Sequence, residues 1–429
     1  MSVPVIILLF IIFLALAIPI SSALTMVAVM PGAMDDSFTA SGGYVVRSMI
    51  SGIDSFPLLA IPMFVLSGVI MARGGISKKL FEVCMFFIGK CTAGMPCAVV
   101  ITCLFYGAIS GSAPATVAAV GSMTIPILIN MKYDKVFAVS LVAIAGGLGV
   151  IIPPSIPFIL YGTASGTSVG KLFMAGIFPG ILVAILLMGY AVIYCKINGE
   201  DKETISEAVD TLKARGLKKL LTESVWALLT PVIILGCIYS GIASPTEAAV
   251  ISVFYALIVA IFFYKTIKFK DIFDIVREAA RTYAPILFIL AASVAFSRVL
   301  TILDVPTIIR DAIFNNFSGL VAVLLVINFA LLIVGMIMDV GPAIMILTPI
   351  LLPIVRELGV DPVHFGVIMV VNLCIGFVTP PIGINLFVAS SLSKVPVMSI
   401  ARKAVPMIIA FLIALLIITF VPWISLALA

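Results

Sequence analysis

The sequence predicts an all-α polytopic membrane protein, and three observations carry this prediction. Of the 429 residues, 63% are apolar and only 10% are Asp, Glu, Lys or Arg, against about 25% charged residues in an ordinary soluble domain. Several apolar runs reach the ~20 residues that a helix needs to cross a bilayer. The charges gather between these runs. A soluble enzyme is therefore excluded. The formal charge of +5, without a basic cluster outside these connecting segments, also argues against a nucleic-acid partner.

The cysteines and the histidine argue against metal and redox centres. The chain has seven cysteines, none in a C-x-x-C pair, and a single histidine, His364, which is predicted to lie in an outer loop. Zinc, haem and iron–sulfur sites need ligand clusters that this pattern lacks. No catalytic dyad and no organic cofactor is expected.

Nine crossings follow from the apolar runs and the charges beside them. The segments 196–224 and 265–281 are rich in Lys and Arg, which places them in the cytoplasm. The N-terminus is then cytoplasmic and the C-terminus periplasmic. The predicted spans are 3–30, 57–72, 136–168, 176–195, 225–242, 247–264, 284–303, 365–393 and 406–428. The cations left off the cytoplasmic side are Arg47, Lys171, Arg298, Arg310 and Arg356.

Two further apolar stretches predict re-entrant hairpins. The stretch 91–131 carries no charge and is flanked by Lys90 and Lys132, which belong on the same side. The stretch 312–355 carries one charge, Asp339, near its middle. Both midpoints contain Gly and Pro, which break helices. A membrane tolerates such breaks only where the backbone is buried in protein or lines a cavity.

The two halves of the chain carry the same landmarks at a fixed offset. Equivalent positions lie 227 or 228 residues apart: Pro57 and Pro285, Pro114 and Pro342, Gly149 and Gly376, and Pro153-Pro154 and Pro380-Pro381. An odd number of crossings separates the halves, so the second is predicted to be inverted, as is typical of secondary transporters. The predicted units are an N-terminal span with an outer segment (1–56), the first repeat (57–195), a solvated cytoplasmic connector (196–224), a scaffold helix pair with a basic loop (225–283), the second repeat (284–405) and a C-terminal span (406–429).

The two helix breaks are the candidate binding sites. Unwound helices offer carbonyl oxygens to Na⁺, and half-helix N-termini suit anionic substrates. The predicted Na⁺ ligands are Ser110, Ser112, Thr116 and Gly149 at the first break, and Asp339, Gly376 and Thr379 at the second. The predicted substrate contacts are Pro154, Ser155 and Asn385. Alternatively, the small residues serve close helix packing, Asp339 caps a helix, and Asn385 joins two helices.

Four segments resemble one known family. They are Ile151–Pro157 (IIPPSIP), Ser244–Ala249 (SPTEAA), Asp361–Val367 (DPVHFGV) and Asn372–Phe387 (NLCIGFVTPPIGINLF). Over nearly its whole length the chain resembles the large membrane subunit of tripartite ATP-independent periplasmic (TRAP) transporters. The resemblance implies a bacterial inner-membrane transporter driven by a Na⁺ gradient. It also implies an elevator mechanism, in which a transport domain holding both hairpins slides against a fixed scaffold.

The resemblance further implies partners and a substrate class. The expected partners are a small four-helix membrane subunit, here on a separate chain, and a periplasmic substrate-binding protein. Substrates of the family are mostly organic acids. Dicarboxylate members often carry Ala-Asp where this chain has Pro114-Ala115-Thr116, which favours the sialic acid (N-acetylneuraminate) branch. A C4-dicarboxylate TRAP subunit and a stand-alone anion/Na⁺ symporter without a binding protein remain the alternatives.

Overall fold

The computed structural model describes residues 3–35 and 38–429, which are helical over most of their length and contain no strand. Positions 1, 2, 36 and 37 of the predicted unit 1–56 lie outside this description. The first eleven helices are α1 (Val3–Ala15), α2 (Ile20–Met34), α3 (Gly42–Ile53), α4 (Ala60–Arg73), α5 (Ile76–Ile88), α6 (Gly94–Ser110), α7 (Ala113–Asn130), α8 (Lys135–Ala145), α9 (Leu148–Ile151), α10 (Ile156–Ser165) and α11 (Val169–Asn198).

The remaining helices follow a connector that is itself partly helical. They are α12 (Lys202–Ala214), α13 (Leu217–Tyr239), α14 (Pro245–Ile258), α15 (Ile272–Ile302), α16 (Val305–Asn316), α17 (Leu320–Ile337), α18 (Val340–Glu357), α19 (Pro362–Gly376), α20 (Ile384–Ser393), α21 (Val397–Phe420) and α22 (Trp423–Leu426). A π-helical turn, Val259–Phe263, continues α14. Short 3₁₀ turns precede α4 and α15.

Nine segments of the described chain are long and apolar enough to cross a membrane, or ten if the bent pair α8–α10 counts as one span. They differ in part from the nine predicted crossings. The predicted span 3–30 is instead two helices of 13 and 15 residues, each about 20 Å long at 1.5 Å per residue. The chain breaks between them at 16–19, where Ala17 has a φ of 57° and Pro19 precedes α2.

Both stretches predicted as hairpins are helix pairs with a two-residue tip. Gly111-Ser112 joins α6 to α7, and Met338-Asp339 joins α17 to α18. The second pair begins at Leu320 rather than at 312, because α16 occupies the residues before it. Three of the four arms are long and apolar enough to cross a membrane, so length does not distinguish a hairpin from two crossings. Re-entry into the membrane stays a prediction.

The helices break at both Pro-Pro pairs, as predicted. The chain bends by 40° between α9 and α10, and residues 377–383 separate α19 from α20. Each pair contains a cis peptide bond, Pro153-Pro154 and Pro380-Pro381. Helix starts also recur at the predicted offset. α7 and α18, α8 and α19, and α11 and α21 begin 227 or 228 residues apart. This recurrence supports the predicted repeat, whereas its inversion across the membrane stays a prediction.

The connector 196–224 is folded rather than simply solvated. Helix α12 buries Ile205, Val209 and Leu212 and contacts α5. Just before it, the Glu200 carboxylate accepts hydrogen bonds from the Ala93 backbone N–H (2.9 Å) and from the Tyr133 hydroxyl (2.5 Å). Ala93 precedes α6 and Tyr133 follows α7, so one carboxylate joins both open ends of this helix pair. Both ends therefore lie on the same side.

The helices form two groups that meet along a boundary. Helices α2 to α5 contact α13, α14 and α15, whereas α6 to α11 contact one another and α19 to α21. The two groups meet where α6 packs against α4, α5 and α13. Helix α18 contacts α10 and α19 of the second group, and it also contacts α15 of the first. The two helix breaks lie within the second group.

Candidate ion and substrate sites at the two helix breaks

The first tip owes its shape to one glycine and one proline. Gly111 has a φ of 60°, a left-handed conformation that favours glycine, and its N–H donates to Gly107 O (2.9 Å) to end α6. Pro114 occupies the first turn of α7, where its missing N–H costs nothing. The tip contacts the broken helix behind it, since the Ile156 N–H donates to Gly111 O at 3.3 Å.

Three residues of this tip form a closed hydroxyl cluster. The Thr116 hydroxyl donates to Ser112 O (2.8 Å) and lies 2.9 Å from Ser110 Oγ. Ser110 Oγ also lies 3.3 Å from Ser112 O. Both Ser110 and Thr116 are buried, at 2% and 0% exposure. Each hydroxyl that donates one proton retains lone pairs, so the three oxygens can contribute to a cation site.

Gly149 lies against this cluster, as the sequence predicts. A Cβ atom at Gly149 would come within 2.4 Å of Thr116 Oγ1 and 2.8 Å of Ser112 O. A Cβ atom at Gly107 would come within 2.6 Å of the Gly149 Cα atom. The absence of side chains at both glycines therefore lets α6 and α9 approach closely at the hydroxyl cluster. The four predicted residues of the first site are brought together.

The two predicted substrate contacts at this break are buried. The Ser155 hydroxyl donates to Val150 O (2.5 Å) and accepts from the Phe158 N–H (3.4 Å), which caps α10. Pro154 O lies 2.9 Å from the position of a Gly111 Cβ atom. Ser155 has no exposed surface. In this conformation both residues make contacts within the protein at the break. Their contact with substrate stays a prediction.

The second break brings its predicted residues together less closely. Asp339 caps α18, its Oδ1 accepting from the Val340 N–H at 2.8 Å. The Thr379 hydroxyl donates to Ile375 O (2.7 Å). Gly376 packs against Gly335, one turn before Asp339, because a Gly376 Cβ atom would lie 2.1 Å from Gly335 O. Within the described chain Asp339 forms no hydrogen bond with Gly376 or Thr379.

Asn385 connects the two breaks. Its side-chain N–H donates to Ala143 O (3.0 Å), at the end of α8, from the first turn of α20. Asn385 has no exposed surface, and its Oδ1 has no hydrogen-bond partner among the described residues. A buried amide oxygen without a partner costs free energy. It is therefore a candidate acceptor for a substrate or ion that enters between the broken helices.

Three contacts at the centre were not predicted. Gly107 and Gly335 each face the break glycine of their own half, and they are 228 residues apart. This signal was present in the sequence. The Cys374 thiol donates to Gly147 O at 3.2 Å, and these residues are 227 apart. Contact between equivalent positions is expected at the axis that relates two repeats, so this pair marks the middle of the second helix group.

His364 corrects another prediction, because it lies in the first turn of α19 and is buried rather than placed in an outer loop. Its Nε2 lies 3.3 Å from Thr419 O. Nearby, the Asn372 amide donates to Asn328 Oδ1 (2.7 Å), and the Asn328 amide lies 3.3 Å from Thr419 Oγ1. These side chains join α17, α19 and α21. Their spacing in the sequence carried no signal of this contact.

Comparison with known proteins gives a family match over most of the chain. Residues 6–424 match the family model described as "Tripartite ATP-independent periplasmic transporter, DctM component". The isethionate TRAP transporter permease protein DctMQ of Oleidesulfovibrio alaskensis is 44% identical over 96% of this chain. The present chain spans only 64% of that relative's length. The C4-dicarboxylate TRAP transporter large permease protein DctM of Pseudomonas aeruginosa is 39% identical, over 87% of this chain and 86% of the relative.

Solved structures show a likeness of fold. The Alcanivorax borkumensis YdaH transporter superposes with a TM-score of 0.65 at 14% identity, covering 98% of both chains. Neisseria gonorrhoeae MtrF superposes with a TM-score of 0.62 at 12% identity, covering 93% of both chains. At these identities the likeness concerns the fold alone.

Proposed function

The chain belongs to the DctM component of the tripartite ATP-independent periplasmic transporters, and we propose that it performs Na⁺-coupled uptake of an organic anion. Members of this family are membrane permeases rather than enzymes, and they work with a small membrane subunit and a periplasmic binding protein. For this chain we propose the inner membrane, with the N-terminus in the cytoplasm. The binding protein would deliver the substrate from the periplasm.

The hydroxyl cluster at the first break is the observation that supports Na⁺ coupling. Ser110, Ser112 and Thr116 direct three oxygens to within 3.3 Å of one another at a helix break. Hydroxyl and backbone oxygens at unwound helices are the ligands that Na⁺ uses in secondary transporters. A proton-coupled carrier needs a titratable group at its site, and the first break has none among these residues. At the second break, Asp339 is the only acid among the residues that the structure describes.

The substrate proposal is limited to the class of organic anions. The names of two relatives concern isethionate and C4-dicarboxylates, and a third, from Escherichia coli, concerns 2,3-diketo-L-gulonate. N-acetylneuraminate, which residues 114–116 favour, belongs to the same class of organic acids. We therefore propose to test isethionate, succinate and N-acetylneuraminate side by side.

Alternating access by an elevator movement fits the arrangement of the two helix groups. The group that contains the breaks contacts the other where α18 packs against α15 and where α6 packs against α4, α5 and α13. Sliding along this boundary would carry the breaks without unpacking them. Ser110 and Thr116 of the hydroxyl cluster are buried in this conformation, as expected for a site that opens only during such a movement.

The test is uptake into proteoliposomes that contain the chain and its small membrane subunit, with loaded binding protein outside. We expect an inward Na⁺ gradient to drive uptake. Thr116→Val removes one hydroxyl at nearly constant volume, and we expect it to raise the Na⁺ concentration for half-maximal uptake several-fold. Thr116→Ser keeps the hydroxyl and is the matched control. Equal uptake on a pH gradient without Na⁺ would contradict the coupling, and efficient uptake without binding protein would favour a stand-alone symporter.

A further inference from the structure

A polar pocket outside the two breaks lies at the boundary between the helix groups. Its volume is about 280 Å³, near the lower end of the range for small-molecule sites. Helices α3 and α15 line one side, and α10 and α18 line the other. Gly52 lets α3 and α15 pack closely here, since a Cβ atom would lie 2.5 Å from Val294. With the membrane topology predicted from the sequence, this pocket opens to the periplasm.

Arg298 is the one charged side chain among the described residues that line this pocket. One guanidinium N–H donates to Ser51 Oγ at 2.7 Å. Arg298 forms no ion pair with any residue that the structure describes. A guanidinium carries five N–H donors in a planar fork, so several remain available on an exposed side chain. Such a fork binds a carboxylate or another oxyanion through two parallel hydrogen bonds.

The pocket is also lined by hydroxyl groups, which can donate hydrogen bonds to an anion beside Arg298. Ser297 is 5% exposed, yet its hydroxyl forms no hydrogen bond with any described residue. Ser55 also lines the pocket, and its hydroxyl is likewise without a partner in the described chain. Thr163 is different, because its hydroxyl donates to Ile159 O at 2.8 Å. Two hydroxyls without a partner in the described chain and a guanidinium without an ion pair line this pocket, and no acid does, so the lining matches the requirements of an anion.

We propose that this pocket binds the anionic group, carboxylate or sulfonate, of the transported organic acid on its way to the breaks. This inference rests on the proposed function and adds a site to it. Because the two sides of the pocket belong to different helix groups, sliding at the boundary would take the pocket apart. An anion bound here would then be released toward the breaks as the transport helices move.

The experiment measures binding directly, without the binding protein. The full chain with its small subunit is titrated calorimetrically with succinate and with isethionate, and 1,4-butanediol serves as an uncharged match for succinate. We expect Arg298→Gln to weaken binding of an anion by roughly 10- to 100-fold, in line with the loss of a charge-assisted hydrogen bond. Arg298→Lys should lie between, Ser297→Ala should weaken binding several-fold, and butanediol should not bind. Arg356→Gln, an exposed cation outside the pocket, is the matched control and should bind like the wild type.

One result would overturn the pocket while leaving the proposed function intact: the wild type transports an anion, and Arg298→Gln binds it with unchanged affinity. If that variant also needs more loaded binding protein for half-maximal uptake, Arg298 belongs to a docking surface instead. The proposed function itself fails if the wild type transports none of the anions. Thermal melting of each variant shows whether it is folded, and Arg298→Lys provides the test if Arg298→Gln is not.

Discussion

Single residues at the first break show how polar groups are accommodated in an apolar helix domain. Ser110 and Thr116 satisfy each other and the Ser112 carbonyl, so none of these groups is left without a partner. An unsatisfied polar group inside a bilayer costs several kcal/mol. The same hydrogen bonds hold the oxygens close together. A cation that binds there would exchange these contacts for its own.

Asp339 and Thr379 give a prediction at the second break. Asp339→Asn keeps an oxygen that can accept from the Val340 N–H, so the cap of α18 should survive while the charge is lost. Thr379→Ala removes a hydroxyl that donates to Ile375 O of the preceding helix, α19. We expect both variants to express normally and to raise the Na⁺ concentration for half-maximal uptake. Glu207→Gln, on the exposed face of α12, is the control. An unchanged Na⁺ dependence in both variants would remove the second break from the ion site.

The break glycines predict a graded loss of stability. A Cβ atom at Gly376 would lie 2.1 Å from a backbone oxygen, and one at Gly335 would lie 3.3 Å from the Leu373 backbone. Overpacking against backbone costs about 1–3 kcal/mol or more. We therefore expect Gly376→Ala to lower the melting temperature in detergent most and Gly335→Ala less. Gly189→Ala, in helix α11 with nothing within 4 Å, should not lower it. A Gly376→Ala protein as stable as the wild type would show that the helices are not tightly packed there.

At the scale of helices, the sequence predicted the breaks better than the ends. Proline and glycine act locally, so the breaks at 153–154 and 380–381 could be placed without knowledge of the fold. The start of α16 and the division of residues 3–30 were missed because the prediction followed the hydropathy pattern, which runs through Pro19 without a change. The connector was predicted as solvated because its charges are many. Ile205, Val209 and Leu212 nevertheless form an apolar face.

Residues of the connector hold together the base of the first helix pair, α6 and α7. Glu200 joins Ala93 to Tyr133, and Lys132 forms an ion pair with Asp201. Removing a charged acceptor costs about 1.5–3 kcal/mol. We expect Glu200→Ala to raise hydrogen exchange in α12 by roughly 10- to 100-fold. Glu207→Ala, in the same helix, is the control. Equal exchange in both variants would mean that Glu200 does not hold the connector.

The pH dependence of these contacts at the connector follows from two pKa shifts. Burial, followed by the hydrogen bond to Glu200, raises the pKa of Tyr133 well above its ordinary value, so the phenol remains a donor. Hydrogen bonds from Lys132 and from the Thr204 N–H lower the pKa of Asp201 to about 2. The pKa of Asp201 is lower in the folded protein than in the unfolded chain, where it is near 3.9, so ionised Asp201 stabilises the fold at pH values above about 3.9. This contribution is lost as the pH falls through about 2. The protection from hydrogen exchange that Asp201 gives to α12 should therefore be the same at pH 8 and at pH 5.

For the whole molecule, composition was sufficient to predict a polytopic helical protein, and spacing was sufficient to predict the repeat. The assembly of the centre was not predictable in the same way. Asn385 reaches Ala143 and Cys374 reaches Gly147 across more than 220 residues, and no local pattern indicates such a contact. The pocket at Arg298 likewise draws its lining from four helices. A single basic residue in an apolar run could be placed on a side of the membrane but not in a cavity.

The threading across the membrane can be tested with a reporter that the chain already carries. Cys91 is the one cysteine with an exposed side chain among the described residues, and it lies before α6, on the predicted cytoplasmic side. Glu200 and Lys132 hold both ends of the α6–α7 pair on that side, whether the pair re-enters the membrane or crosses it twice. A membrane-impermeant maleimide should therefore label Cys91 in inside-out vesicles and not in intact spheroplasts.

The opposite side needs one introduced cysteine, and Ser318 is suitable because it is exposed in the loop between α16 and α17. In a Cys91→Ser background, Ser318→Cys should be labelled in intact spheroplasts. Arg310 of α16 pairs with Glu357 at the end of α18 (2.6 Å), so the residues that follow α18 must share the side of Ser318. A cysteine at 358 should then report the periplasm as well. If Ser318→Cys is labelled only from the cytoplasm, the two halves have the same orientation, and the inverted repeat is wrong.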